Sequence, residues 1–404
     1  MSAQQPAEMP RAGALQGILL LLPITMAVMG LVVLVPVLPQ LMQQFRDVPG
    51  VEFLVPLMLT LPALCVALLA PVAGTVVDFF GRRRTLIWGL VFYALFGVMP
   101  MFLDSLSTII ASRIALGIVE AAIVTASTTL IGDYFHGESR KRWLANQTAL
   151  ASLSSIVLAL LGGTLGGMLG WRGPFLAYAV SIVYVVGLAL WTWEPQKSEQ
   201  PAAELSGQGA KFPWRALLPV AILAIFGGTM FFMMQIQVSN VLSDYYNIKS
   251  ASALGGYSAL AGLCVALGTL LYRGVMRFPS ALQLLVSFGL LGISYVMMNH
   301  SPSVTTFAVW LVVNQLGSGM LLPILVVMAM AALPFEVRGR GTGLFMSGWW
   351  LGQPLSTQVV ALVRNLNGGD LPASLQFFGV LCLAAAAIAI ATHLLGRRPA
   401  SANL

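Results

Sequence analysis

The sequence predicts an all-α polytopic membrane protein of twelve transmembrane helices in two pseudo-symmetric six-helix bundles, on three observations. Of its 404 residues, 58% are hydrophobic and only 9% are charged, whereas a soluble domain carries about 25% charged residues. Long charge-free runs recur from end to end, and at ~20 apolar residues per crossing the chain holds about twelve spans. One polar stretch, 194–213, divides it into nearly equal parts, 1–193 and 214–404. A mean hydropathy of +0.87 excludes a disordered chain, a collagen-like fibre and a disulfide scaffold.

Charge-free intervals and turn residues place the spans near 14–41, 52–77, 85–103, 106–132, 142–168, 174–193, 214–242, 251–274, 280–299, 303–332, 341–363 and 372–395. Between 278 and 335 there is no Asp, Glu, Lys or Arg, and Asn299-His300-Ser301-Pro302 splits that run in two. Continuous apolar runs of this length are helical, because barrel strands alternate over about ten residues. With both termini on one side, 16 of the 21 basic residues fall there, among them Arg82, Arg83, Arg84, Arg140, Lys141, Arg142, Arg338 and Arg340. The other side receives Arg46, Arg172, Lys249 and Arg364, and Arg113 lies within a span. The positive-inside rule then puts both termini in the cytoplasm. Short loops and termini point to a bacterial inner membrane.

The stretch 194–213, rich in Gln, Ser, Glu, Pro and Ala, reads as a cytoplasmic linker. Two weak echoes suggest duplication: Glu138, Arg140 and Arg142 recur as Glu336, Arg338 and Arg340, and Gly74 recurs as Gly268. The cysteines Cys65, Cys264 and Cys382 sit in apolar runs without CxxC spacing, so neither a disulfide framework nor a metal site is expected. The net charge of +7 lacks the aromatic-interleaved basic stripe of a nucleic-acid binder. At the N-terminus, 34 uncharged residues after Arg11 exceed the 7–15 of a signal-peptide core.

The strongest local pattern is Gly74-x3-Asp78-x2-Gly81-Arg82-Arg83-Arg84, at the end of span 2. Gly74 allows close helix approach, Asp78 is an acid at the membrane edge in need of a partner, and Gly81 permits a tight reversal. The arginines alone would be topology anchors. Taken together, the pattern resembles the signature of the major facilitator superfamily, in the loop between its helices 2 and 3. The twelve spans, the 6+6 division and the central linker extend the resemblance along the whole chain. It implies alternating access, with two bundles rocking about a central cavity. It also implies a cytoplasmic latch in which Asp78 faces the N-terminus of helix 11 and Arg82 pairs with Asp133, the acid ending span 4. In the second half the matching loop has Tyr272 in place of the acid, so the latch is expected to be asymmetric.

Span 4 carries Arg113-x3-Gly117-x2-Glu120, similar to the family's helix-4 pattern except that Leu116 replaces the usual polar residue. Arg113 and Glu120 lie two turns apart, so Arg113, Gly117, Glu120 and Ser127 share one face, expected to line the cavity for proton coupling or substrate binding. Span 5 holds Gly162, Gly163, Gly166 and Gly167, resembling the helix-5 motif of proton-driven exporters, although Gly163 stands where that motif has proline; plain helix packing is the other reading. Gly170-Trp171-Arg172-x-Pro174-Phe175 reads as an interfacial anchor. The second half offers neutral cavity candidates: Gln235, Gln237, Asn240, Asn314, Gln315, Trp349, Trp350 and Gln353, beside Met230, Met233 and Met234. Sugar-porter and aromatic-acid-symporter signatures are missing.

These features suit a proton-coupled exporter of small amphipathic organic compounds, resembling the drug:proton antiporter branch; a proton-linked importer of a small organic metabolite is the alternative. Protons are the expected coupling ion and the expected state is a monomer in the bilayer, with no cofactor, metal or nucleic acid. An enzyme would need a catalytic cluster, but His136, His300 and His393 lie apart with no carboxylate pair facing them. A receptor would need an appended domain, for which the length leaves no room.

Overall fold

A computed structural model describes residues 12–195, 214–333 and 338–396. Most of the expected linker, from 196 to 213, lies outside the described residues, as do Arg11, Lys197, Lys211, Glu336, Arg397 and Arg398. The molecule is all-α. Among the described residues, ten stretches are long and apolar enough to cross a membrane, and one of them, Gly137–Trp191, covers two passes. The remaining pass is helix α13 (Arg338–Leu366), whose sequence contains Gln353, Gln358 and Arg364 and is therefore less apolar.

The first span is not the single helix expected over 14–41. It consists of α1 (Ala14–Leu21), α2 (Ile24–Val32), a 3-10 turn (Val35–Val37) and α3 (Leu38–Gln44). Pro23, Pro36 and Pro39 fall at or beside these breaks, and proline supplies no N–H to continue a helical ladder. Long helices follow: α4 (Val51–Phe80), α5 (Arg82–Val98), α6 (Leu106–Tyr134) and α7 (Gly137–Leu169). The sixth span starts as a 3-10 helix, Gly170–Ala179, before α8 (Val180–Trp191). The second half runs α9 (Trp214–Asp244), α10 (Ala251–Val275), α11 (Ser280–Asn299), α12 (Val304–Ala332), α13 and α14 (Leu371–Gly396).

Several contacts occur once in each half. Tyr93 on α5 donates its hydroxyl to the Met26 carbonyl at 2.7 Å, and Tyr295 on α11 donates to the Met230 carbonyl at 2.9 Å. A Cβ at Gly117 on α6 would lie 2.7 Å from Cys65 of α4, and one at Gly319 on α12 would lie 3.0 Å from the Gly268 Cα of α10. Only glycine admits such backbone approach.

The halves touch through α7 with α10 and α4 with α13. We term the side bearing Gly81–Arg84 the basic face. The closest contacts lie toward the opposite face: a Cβ at Gly163 would sit 2.8 Å from the Gly255 Cα, and Gln358 Nε2 donates to the Phe53 carbonyl at 3.3 Å. A Cβ at Gly74 on α4 or Gly343 on α13 would meet nothing within 4 Å among the described residues. Gly74 thus differs from expectation: among the described residues no atom stands within 4 Å of where its Cβ would be. Its sequence echo Gly268 is tightly covered by the Leu316 backbone.

Substituting Gly163 by Val should lower stability by about 1–3 kcal/mol, as overpacking does, whereas Gly256→Ala, where a Cβ meets nothing within 4 Å, should be near neutral. Thermal melts of the two purified variants check the contrast.

Candidate functional site

The buried charges of α6 sit within the first half. Arg113 is fully buried; its Nη2 donates to the Tyr178 hydroxyl at 2.8 Å, and its guanidinium lies 4.8 Å from the Tyr178 ring centre and 5.7 Å from that of Phe175. Both rings come from the 3-10 segment, where residues i and i+3 eclipse, so Phe175 and Tyr178 present one aromatic wall. The Tyr178 hydroxyl is also 3.3 Å from the Met29 carbonyl, which ties the wall to α2. Among the described residues Arg113 Nε and Nη1 have no hydrogen-bond partner.

Glu120 is 2% exposed, and its Oε2 likewise has no hydrogen-bond partner. That oxygen is 3.1 Å from where a Cβ on Gly30 would stand, so a glycine on α2 makes its room. No ion pair within 4 Å joins Glu120 to Arg113 among the described residues, as expected from ~10 Å of helix rise between their backbones. The shared face differs from expectation in one respect. Arg113, Glu120 and Ser127 are covered rather than lining an open cavity: α1, α2 and α4 pack over them, and Ser127 Oγ donates to the Leu20 carbonyl at 2.7 Å.

At the basic face, Arg82 Nη1 donates to Asp133 Oδ1, while Nε and Nη2 reach Asp78 Oδ1 at 3.2 and 3.1 Å. Gly81, at φ +94°, turns the chain between α4 and α5, a conformation that favours glycine. The side chains at the start of α13 lie outside the described residues, and Asp78 is 60% exposed at its side chain. Arg83 turns the other way, donating to Thr192 Oγ1 at 3.0 Å and the Ala189 carbonyl at 2.8 Å. The Glu194 carboxylate accepts from the backbone N–H groups of Arg83 and Arg84, each at 3.2 Å, and so caps α5.

The span-5 glycines divide between two partners. Gly162 and Gly166 lie against Val33 and Val37 of the first span, and Gly163 and Gly167 lie against Ala251, Ser252 and Gly255 of α10. In the second half the expected cavity residues mostly bond to one another. Gln235 donates to Gln315 at 2.7 Å, Gln315 to Asn314 at 3.0 Å, and Asn314 to Ser294 at 3.0 Å. Asn314 and Gln315 are fully buried, so they form a satisfied packing network rather than a cavity wall. Gln237 and Asn240 pair at 2.8 Å. Trp349 is buried 5.3 Å from the Phe231 ring, Trp350 lies 5.8 Å from that of Phe232, and Gln353 is 3% exposed.

A cavity of about 890 Å³ opens at the opposite face, lined by Gln40, Gln43, Glu52, Asn240, Asp244 and Arg364 among others. Arg364 pairs with Asp244 there at 3.2 Å. Beside it, partial burial and then the hydrogen bond to Asp370 push the Tyr245 phenol up to about 12. Arg172, the expected anchor, pairs with Asp104 and stacks 4.7 Å over Trp171.

A family model described as Major Facilitator Superfamily matches residues 20–357. The chain belongs to that superfamily. Among the described residues no group of three His, Cys, Asp or Glu is placed to hold a metal. The chain is 28% identical to the tetracycline resistance protein, class C, of Escherichia coli over 267 residues, covering 63% of this chain and 64% of that protein. It is 30% identical to the class G tetracycline resistance protein of Vibrio anguillarum over 40% of this chain and 41% of that one. To the quinolone resistance protein NorB of Staphylococcus aureus (strain JH9) it is 24% identical, over 56% and 53%. The chain therefore spans less than two thirds of the length of these relatives. In fold it resembles a bacterial homologue of the human lysosomal transporter Spinster, with a TM-score of 0.75, 18% identity, and coverage of 96% and 98%.

Sequence reasoning missed the aromatic wall. Phe175 was visible only as part of an anchor motif, and Tyr178 follows one 3-10 turn later. It also missed Glu194 and Thr192, whose partners lie more than a hundred residues away in sequence.

Proposed function

We propose that this facilitator protein is a secondary transporter that exports small amphipathic organic compounds in exchange for protons. In this reading, residues 1–193 and 214–404 are two bundles joined by the 194–213 linker, and they rock about a central site as a monomer. The membrane is a bacterial inner membrane with the basic face in the cytoplasm, as the excess of Lys and Arg there favours. The observation that carries the reading is the burial of Arg113 and Glu120 without a mutual ion pair, each with polar atoms lacking partners. Placing either charge at membrane depth costs roughly 2.5–3.5 kcal/mol on insertion scales, an expense that marks a working site. A carboxylate whose surroundings change as the bundles rock gains and loses a proton at different faces. The relatives named for tetracycline and quinolone resistance support export and an amphipathic substrate class.

The same reading assigns Asp78, Arg82 and Asp133 to a cytoplasmic latch, with Arg83 as a brace toward the sixth span. The open space beside Gly74 and Gly343 among the described residues is what an inward-open state would present.

Everted membrane vesicles acidified inside test the function, with tetracycline and a fluoroquinolone as probes. Accumulation that collapses with a protonophore is the expected result. Loss of probe from the lumen under the same gradient would favour the importer, and indifference to the gradient would overturn proton coupling.

A further inference from the structure

The search beyond the central site leads to an apolar groove on the outside of the first half. Its volume is about 550 Å³, within the ~300–1,000 Å³ of ligand pockets. One wall is a stripe on α4, Leu69, Val72, Ala73, Val76 and Phe80; the other is the Trp88–Phe92 edge of α5; and α6 supplies the floor through Ile118, Val119 and Ala122. Ile118 and Ala122 each lie two residues from Glu120, roughly 160–200° around α6 at 100° per residue. The groove therefore faces away from the buried charges and is not part of the proposed transport site.

Three features point to one occupant. From Phe80 to Leu69 the groove runs along eleven residues of helix, ~16 Å at 1.5 Å per residue, about half of a ~30 Å hydrocarbon core. It therefore spans one leaflet. At its basic-face end stands Arg84, an exposed residue lining the mouth. Its neighbours in sequence are committed, Arg82 to Asp78 and Asp133 and Arg83 to Thr192 and Ala189, whereas the Arg84 guanidinium has no partner among the described residues. The Glu194 carboxylate is engaged by the backbone N–H groups of Arg83 and Arg84.

We propose that this groove seats one anionic phospholipid of the basic-face leaflet, its acyl chain between α4 and α5 and its phosphate on Arg84. A second positive charge from the lipid is not wanted at such a mouth, so an anionic headgroup is favoured over a zwitterionic one. Trp88 lines the chain site and reports on it directly.

The test uses the full-length protein in nanodiscs of phosphatidylcholine, titrated with dibrominated phosphatidylglycerol or dibrominated phosphatidylcholine. Tryptophan quenching is read as the difference between the protein and Trp88→Phe, which isolates the groove. Phosphatidylglycerol should reach half-quenching at about a fivefold lower mole fraction, the preference expected of one arginine near a headgroup. Arg84→Gln, an exposed change that removes no packing, should erase that preference, and Ala122→Leu should reduce quenching by both lipids by filling the floor. Equal quenching by the two lipids in the unaltered protein would reduce the groove to ordinary lipid contact and overturn the proposal. So would a preference that survives Arg84→Gln. Neither readout depends on transport, so this proposal and the proton-coupled export reading fail separately.

Discussion

Glu120→Gln is expected to reduce pH-driven accumulation to the level of vesicles without the protein, while exchange of labelled substrate without a gradient continues. The amide keeps the shape of the carboxylate, so the fit against Gly30 survives. It removes a buried charge that costs roughly 2.5–3.5 kcal/mol on insertion scales, so the variant should melt no lower than the original. What it cannot do is release a proton. Loss of exchange along with drive would instead make Glu120 a substrate contact, and unchanged behaviour in both assays would remove it from the site. Tyr178→Phe is the companion variant: it deletes the hydroxyl that Arg113 holds at 2.8 Å while keeping the ring beneath the guanidinium.

The second large effect belongs to the basic-face pair. Arg82→Ala and Asp133→Asn should each slow transport sharply, and the double variant should be little worse than either alone. Their side chains are 32% and 22% exposed, so the interaction is partly shielded from solvent. A coupling of about 0.5–3 kcal/mol is the range for residues in direct contact. Asp78→Asn should have a smaller effect, because Asp78 contacts the same guanidinium from a 60% exposed position. Independent penalties for Arg82→Ala and Asp133→Asn, measured as initial rates in vesicles, would dissolve the pair.

Hydropathy and loop charge made the helices legible, because lipid enforces long apolar runs and leaves few alternatives to a helix. The Arg82–Asp133 contact was legible for a different reason: the family resemblance implied that the motif arginine pairs with the acid ending span 4. The breaks at Pro23 and Pro36 escaped the hydropathy signal, since proline is apolar enough to leave a run unbroken. The cover over Glu120 was invisible, because helical spacing says which residues share a face but not which neighbour lies on it. For the same reason Asn314 and Gln315 read as cavity polarity, when buried amides at that depth had found each other. The Arg84 groove left no periodic mark, because its walls come from three helices.

The crossing of α7 and α10 has a mechanical consequence. Where Gly163 meets Gly255, backbone touches backbone, and only small side chains such as Ser252, whose hydroxyl donates to the Gly163 carbonyl at 3.3 Å, stand beside the contact. Helices that mesh ridge into groove must lift over one another to slide, and their side chains must change rotamer. A crossing of glycines and small residues has much shallower teeth. Many small dispersion contacts, each ~0.1–0.2 kcal/mol, hold it together and are exchanged one for another as it shifts. Under the proposed rocking motion it acts as a plain bearing, setting how fast the two halves swing past each other while leaving the choice of end state to the charged groups elsewhere.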